Sequence, residues 1–187
     1  MSASQFSSDG RDFQIDYADK AVEKSGTVAE LRGKDSVVLA VEKVVTSPLH
    51  EDDTVTRIVT VDKNIGLALA GLLADGRSIA HIARQEVANY RQEFATKLSL
   101  RQLCERIASH VHSYTLYSAC IRPFDIPVIP SVRDEVQGSQ LSKIDPNGSY
   151  YGHFGCVVGK AKQQAKTEKF KFQEMSTEEL VQSDGKM

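Results

Sequence analysis

The order of residue patterns along the chain predicts an α+β domain in which helices cover a layered sandwich of strands. Strand hairpins come first, two long amphipathic helices follow, and further hairpins precede a last helix. That order is neither strict βαβ alternation nor an all-helical repeat. Without internal repeats or a linker-like stretch, residues 1–187 read as one domain. A chain of this size buries about two-thirds of its unfolded surface. Its apolar and charged fractions, 41% and 26%, are ordinary for a globular protein.

The elements follow in order. A turn tetrad, Ser7, Ser8, Asp9 and Gly10, leads into alternating Phe13, Ile15 and Tyr17, then a helix-compatible stretch through Ala18, Ala21 and Val22. Thr27 to Arg32 reads as a strand, Gly33 to Ser36 as a hairpin turn, and Val37 to Lys43 as the return strand. Val37 to Val41 is continuously apolar, which predicts burial on both faces. A loop around Pro48, His50 and Glu51 to Asp53 precedes a strand at Arg57–Val61. Asp62 to Asn64 then turns the chain into Ile65–Gly71, whose small residues permit close approach of another layer.

From Asp75 to about Ala95, Ile79, Ile82, Ala83, Val87, Tyr90 and Phe94 keep a 3.6-residue rhythm. Ser99 and Gln102 form a capping-box signature opening a second helix, with Leu103, Ile107, Val111 and Tyr114 on its apolar face. Strand signal resumes at Ile126–Val132, where Pro127 and Pro130 suit only an edge or irregular strand. Asp145 to Gly148 is a strong hairpin turn between Gln140–Ile144 and Ser149–Phe154. A helix is predicted from Gly159 through Phe170 and another starting at Ser176 to Glu179, with residues 183–187 frayed.

Composition excludes some function classes. The net charge of −2 gives no reason to expect a nucleic acid or an anionic membrane as partner. No apolar stretch reaches membrane-spanning length, and residues 1–20 lack the basic start and apolar core of a signal peptide. Cys104, Cys120 and Cys156 have no CxxC spacing, so reduced thiols are expected rather than disulfides or a zinc site. His110 and His112, two apart on a helix, do not share a face, and His50, His81 and His153 have no ligand-spaced partners; no metal site is expected. Gly155-Cys-Val-Val-Gly-Lys-Ala161 has the glycines and lysine of a phosphate-binding loop. One intervening residue and the hydroxyl after the lysine are missing, so close strand-to-helix packing is the preferred reading.

The run Phe6-Ser-Ser-Asp-Gly-Arg-Asp-Phe-Gln-Ile-Asp-Tyr-Ala18, followed by Lys20-Ala-Val-Glu-Lys24, closely resembles the N-terminal signature of proteasome alpha subunits. The similarity continues through Gly33–Lys43, Ala70–Arg77, Tyr114–Tyr117 with Arg122–Phe124, Ile144–Gly148 and Gly155–Ala161. Within the family, His110–Tyr117 most resembles the type-3 branch. The resemblance implies the N-terminal-nucleophile hydrolase fold, a sandwich of antiparallel sheets flanked by helices, incomplete here at its C-terminal end. Residues 1–24 correspond to the alpha-specific segment, a helix lying across the strand-bearing layers of the ring. By resemblance the chain is a non-catalytic subunit of a threonine-type endopeptidase complex, in cytoplasm and nucleus, with no cofactor. Its implied partners are other alpha subunits in a hetero-heptameric ring, beta subunits, and a regulatory particle or other activators.

Residue by residue, the resemblance carries over a few roles. Arg57 matches the pocket lysine that receives the C-terminal carboxylate of activator tails; a solvated charge beside a strand is the plainer reading. Phe6, Asp9, Gly10, Arg11, Phe13, Gln14, Tyr17 and Ala18 match residues expected to serve ring assembly; a local turn and a packed ring are their plainer reading. Gly26 falls at the position of the beta subunits' catalytic threonine, with Thr27 one place beyond. Glu42 stands where active subunits carry an aspartate, and no lysine lies between Lys43 and Lys63 to lower a hydroxyl's pKa. The gating element that precedes Ser2–Phe6 in the family is absent, and the family continues past the position of Met187. Two alternatives therefore stand beside the ring subunit: a truncated isoform that does not assemble, and an active threonine-type peptidase.

Overall fold

A computed structural model of the chain describes residues 6–10, 12–44, 47, 49, 51, 54, 56–116, 122–134 and 137–165. Its elements are α1 (Phe13–Glu23), β1 (Val28–Arg32), β2 (Val37–Val41), β3 (Ile58–Asp62), β4 (Ile65–Leu69), α2 (Leu73–Phe94), α3 (Leu100–Leu116), β5 (Val128–Asp134), β6 (Gly138–Ile144), β7 (Tyr150–Gly152), β8 (Gly155–Val158) and α4 (Lys162–Ala165). The strands form two antiparallel sheets, ordered β2-β1-β8 and β3-β4-β5-β6-β7. This is the expected α+β sandwich.

Strand alternation divides the core between two layers. Ala68, Ala70, Ile129 and Leu141 of the larger sheet's side meet Val28, Cys156 and Val158 of the smaller, forming the inter-sheet layer. Ile65, Leu67, Leu69, Val128, Val132 and Ile144 face the other way, against Ile79, Ala83 and Val87 of α2 and Leu103, Ile107 and Val111 of α3.

Two local readings are corrected and a third is narrowed. Phe13, Ile15 and Tyr17 alternate like a strand yet lie in α1, because the Asp12 carboxylate caps the helix by accepting the Gln14 N–H at 2.9 Å while Ala18 and Val22 provide its buried stripe. Val37–Val41 is half-buried throughout rather than buried on both faces, since β2 is the edge of its sheet. Of the two settings expected for Pro130, an edge or an irregular strand, the second holds, since β5 lies between β4 and β6. The Arg133 N–H donates to Asn64 O at 3.2 Å, so alternate residues point their N–H groups at β4 and the Pro130 nitrogen faces β6. The β5–β6 ladder passes from Val128↔Ile144 to Ser131↔Leu141, skipping the stretch where proline has no proton to donate.

The capping box forms as read: Ser99 Oγ accepts the Gln102 N–H at 3.3 Å, and Gln102 Oε1 accepts the Ser99 N–H at 3.2 Å. The Asp145–Gly148 turn closes with the Gly148 N–H on Asp145 O at 2.9 Å, Gly148 at φ +85°. After β8, Gly159 turns at φ +97° into α4. Residues 166–170 of the expected helix, Ser176–Glu179 and 183–187 lie outside the described residues, as do Pro48, His50, Asp52, Asp53 and Cys120.

The edge strand β3 is covered from α2. Arg84 donates from Nε and Nη2 to Thr60 O at 3.0 and 2.8 Å, Arg91 pairs with Asp62, and Arg77 reaches Thr54 O at 3.3 Å. Spaced seven apart on one helix face, these arginines line the edge, and Arg84 occupies the Thr60 carbonyl that would otherwise template another strand.

The segment from β4 into α2 is fixed against residues 122–126. Asp75 Oδ2 and Oδ1 accept Arg122 Nη1 and Nη2 at 2.7 and 2.8 Å, and Oδ2 also accepts the Asp125 N–H at 3.0 Å. Burial alone would raise the Asp75 carboxyl; the Arg122 hydrogen bonds, the Asp125 N–H and the Arg122 charge together hold it below 3.8. Asp75→Asn should therefore cost about 2 kcal/mol in urea denaturation at pH 7, a reduced figure because Arg122 is partly exposed. A depressed carboxylate stabilises above its unfolded value of 3.8 and loses that contribution as pH falls through its folded value. The wild-type advantage over Asp75→Asn should thus shrink below pH 3.8. At Gly76 a Cβ would sit 2.7 Å from Ile126 Cδ1 and 3.0 Å from Leu69 Cδ1, both side chains fully buried. Gly76→Ala gains about 1 kcal/mol of helix propensity, yet overpacking should make it net destabilising in the same assay, by about 1–2 kcal/mol.

Candidate functional site

β1 starts, β2 ends, β3 starts and β4 ends at one end of the sandwich, which brings together Thr27, Glu42, Arg57 and Gly71. The Thr27 N–H donates to Glu42 Oε2 at 2.8 Å, and the Glu42 N–H donates to Thr27 O at 2.8 Å. Thr27 Oγ1 accepts the Ala161 N–H at 3.4 Å, while the Lys160 N–H reaches Ser25 O at 3.2 Å. A Cβ on Gly159 would lie 2.6 Å from Gly26 O, so that glycine is where the β8–α4 turn closes on the Gly26–Thr27 peptide. This is the close packing expected of Gly155–Ala161.

Glu42 is held below the ordinary carboxylate value, first by the Thr27 N–H, then by the Thr27 hydroxyl, with Lys160 and Arg57 contributing charge. It is therefore an ionised acceptor at neutral pH and a weak base. The Thr27 nitrogen is a peptide N–H whose hydrogen is already donated. An attack in which a threonine's own amine takes the hydroxyl proton needs a free amine at that atom, which only cleavage of the Gly26–Thr27 bond would supply.

Arg57 reaches back across the same end. Its Nη1 donates to Gly71 O at 3.1 Å and lies 3.4 Å from Leu69 O, while its Nε is buried without a hydrogen-bond partner. Val41, Lys43, Thr56 and Ile58 share with it a cleft of about 220 Å³. The plainer reading of a fully solvated charge does not describe this half-buried guanidinium.

The opening segment separates into two groups. Ala18 is fully buried, whereas Phe6, Phe13 and Tyr17 are 68%, 47% and 58% exposed. Phe6 pairs with Asp12 as an isolated bridge, Gly10 closes the turn on Ser7 O at 3.0 Å with φ +75°, and the Asp9 N–H meets Ser7 Oγ at 3.2 Å. The Gln14 N–H is taken up by Asp12. Arg11 lies outside the described residues.

Sequence reasoning missed a cleft of about 250 Å³ beneath α1, lined by Asp19, Val22, Glu23, Pro127, Lys143, Asp145 and Lys162 among others. Lys143 pairs with Asp145, and the Asp19 carboxyl is pushed up by burial first and by Asp145 next. No local pattern announces it, because its walls come from α1, the β6–β7 turn and α4. The two helical histidines diverge: His112 Nδ1 lies 3.0 Å from Asn147 O, tying α3 to the β6–β7 turn, and His110 stacks with Tyr114 and Phe124. Among the described residues no three His, Cys, Asp or Glu side chains form a metal-holding group, and no helix is long and apolar enough to cross a membrane. Cys104 and Cys156 are buried free thiols, each pushed up to about 12, by burial first.

Comparison with known proteins gives a consistent relationship. The family profile described as "Proteasome subunit" matches residues 22–184. The chain is 61% identical over 188 residues to "Proteasome subunit alpha type-3" of Drosophila melanogaster, covering 100% of this chain and 74% of that protein. Against the alpha type-3 subunit of Acanthamoeba castellanii it is 44% identical, with 100% and 74% covered. Against the "Probable proteasome subunit alpha type-7" of Saccharomyces cerevisiae it is 38% identical, with 90% and 58% covered. With a profile match over most of its length and relatives at these identities, the chain belongs to the proteasome subunit family and is most similar there to alpha type-3 subunits.

Proposed function

We propose that this chain is a non-catalytic alpha subunit of the 20S proteasome core, acting through assembly rather than chemistry. In this reading it joins other alpha subunits in a hetero-heptameric ring, supports the beta rings, and contributes to substrate entry and regulatory-particle docking in ubiquitin- and ATP-dependent degradation. Peptide-bond hydrolysis belongs to the beta partners, and the complex works in cytoplasm and nucleus. One observation carries the non-catalytic part: Gly26, which has no hydroxyl, stands at the position of the catalytic threonine, a Cβ there would lie 3.2 Å from Glu42 O, and no lysine falls between Lys43 and Lys63 to lower a hydroxyl's pKa.

The assembly part is supported by the outward aromatics Phe6, Phe13 and Tyr17 on a segment anchored from below by Ala18 and Val22. Asp9, Gly10, Arg11 and Gln14 complete that assembly segment in this reading. Exposed aromatic side chains rimmed by polar groups are the usual material of an interface core. Arg57 supplies the charge for an activator tail's terminal carboxylate, as a guanidinium able to bind it with two parallel hydrogen bonds. The Gly71 and Leu69 carbonyls compete for Nη1, so a tail carboxylate would have to draw it away from them.

Co-expression with the other alpha subunits, followed by size-exclusion chromatography and intact-mass measurement of the ring fraction, tests the proposal. The expected result is the chain in stoichiometric amount, uncleaved at Gly26–Thr27. Its exclusion, while a longer homologue incorporates in parallel, would overturn the assembly role. Thr27→Ala should leave peptide hydrolysis by the assembled particle unchanged in a fluorogenic assay. Joint Phe13→Ala and Tyr17→Ala should reduce ring incorporation severalfold without lowering the melting temperature of the free chain, both side chains being about half exposed or more. Arg57→Ala should weaken capture of a peptide with a free C-terminal carboxylate by about tenfold, read by fluorescence anisotropy on the ring.

A further inference from the structure

The opposite end of the sandwich holds a further cleft that none of these roles uses. β1 and β3 each end there in a turn and β5 ends beside them, which brings Lys34 and Asp35, Lys63 and Asn64, and Arg133 and Asp134 around an opening of about 650 Å³, with Gly138 and Ser139 on its wall. An adjoining cleft of about 290 Å³ shares Lys63, Asn64 and Arg133 and continues along Val37 and Leu39 between the sheets.

Two independent features make this more than a gap between turns. The first is its charge: among the described residues three cations face two carboxylates, and Lys34, Lys63 and Arg133 make no side-chain ion pair with any of those residues. Of the carboxylates, Asp134 accepts the Gln137 N–H at 3.3 Å, and Asp35 lies in the β1–β2 turn closed by the Gly33 N–H on Ser36 O at 2.9 Å. The second is the hydroxyl of Ser139, 1% exposed and without a hydrogen-bond partner. A buried hydroxyl left unpaired is costly, and such a group in a native fold calls for a missing partner. Ser139 is the register partner of Arg133, so both residues project from the same face of the sheet. Arg133 is itself held in place, its N–H donating to Asn64 O at 3.2 Å and its carbonyl accepting Asn64 Nδ2 at 3.3 Å. The opening also has room: a Cβ at Gly138 would meet no atom within 4 Å.

We infer that this cleft is a binding site for a phosphate-class oxyanion, gripped by Lys34, Lys63 and Arg133 at its mouth and by the Ser139 hydroxyl at its wall. The chemistry favours phosphate over a single carboxylate. Several acceptor oxygens on one compact centre can take the Arg133 fork, two ammonium groups and a hydroxyl together, whereas one carboxylate offers only two oxygens. The two aspartates weaken general attraction of the cleft for anions, so the ligand must be dense enough in charge to outcompete them. This inference does not rest on the assembly role, since the cleft is at the far end of the strands from Thr27, Glu42 and Arg57.

The test is isothermal titration of the full chain with inorganic pyrophosphate at low ionic strength, beside the variants Arg133→Gln, Lys63→Gln and Ser139→Ala. Saturable one-site binding is expected, weakened about tenfold by Arg133→Gln or Lys63→Gln and severalfold by Ser139→Ala. Lys97→Gln, an exposed lysine outside the cleft, should bind as the parent chain does. Far-ultraviolet circular dichroism and melting of each variant establish that lost binding is not lost folding. Absence of saturable binding by the folded parent chain would overturn the site. Equal weakening by Lys97→Gln would overturn it as well, because it would mark general attraction to surface charge.

Discussion

The join between β4 and α2 is the constraint on which the rest of the molecule depends. Gly71 sits at φ +107°, and a Cβ there would lie 2.3 Å from Asp125 O, so only glycine admits the crossing chain. The Leu72 N–H donates to that same Asp125 carbonyl at 3.1 Å. Asp75 then holds Arg122 and the Asp125 N–H, and Gly76 lets Ile126 and Leu69 close over the helix. β4 feeds α2 and the chain leaving α3 feeds β5, so this one junction ties both exits between the helical layer and the larger sheet. Loosening it would let α2 and α3 shift over a core whose residues face them from alternate strand positions.

The inter-sheet layer is graded along its length, and the grading separates the two ends. Val28, Val158, Ala68, Ala70 and Ile129 pack the end near Thr27 with apolar side chains. Farther along, β1 contributes Glu30, fully buried beside its register partner Cys156, and the larger sheet contributes Ser131 and Ser139. A layer that becomes polar toward the turns cannot close as tightly as an apolar one. The Thr27 end is accordingly shut by backbone hydrogen bonds and glycine contacts, while the turn end opens into clefts.

How much of this was legible in the sequence depended on range. The Ser99–Gln102 box and the Asp145–Gly148 turn were readable because their partners lie within a few residues. Local alternation at Phe13, Ile15 and Tyr17 pointed toward extended chain, and only the Asp12 cap with the burial of Ala18 and Val22 made it helix. Pro130 announces an edge or an irregular strand; which of the two, with its nitrogen facing a break in the ladder, is visible only once β6 is placed. The resemblance singled out Arg57, yet nothing in the chain pattern said that its guanidinium would turn onto carbonyls 12 and 14 residues away. Asp75 and Arg122 are 47 positions apart, and each reads alone as an ordinary surface charge. Long-range polar contacts depend on the finished topology, which residue spacing does not encode.

The same topology sets assembly and threonine chemistry against each other. Freeing the Thr27 nitrogen would require cutting the Gly26–Thr27 bond, which is also the covalent tether of α1. Without that tether, the burial of Ala18 and Val22 and the Lys160–Ser25 hydrogen bond would have to hold the segment alone. A short helix contributing two buried side chains gains little against the backbone entropy of ordering it. The new amine would carry a positive charge beside Glu42, and ion pairing would favour the protonated ammonium over the neutral base that the attack needs. A chain that keeps α1 thus keeps its threonine as a peptide, and one that released the threonine would lose the surface carrying Phe6, Phe13 and Tyr17.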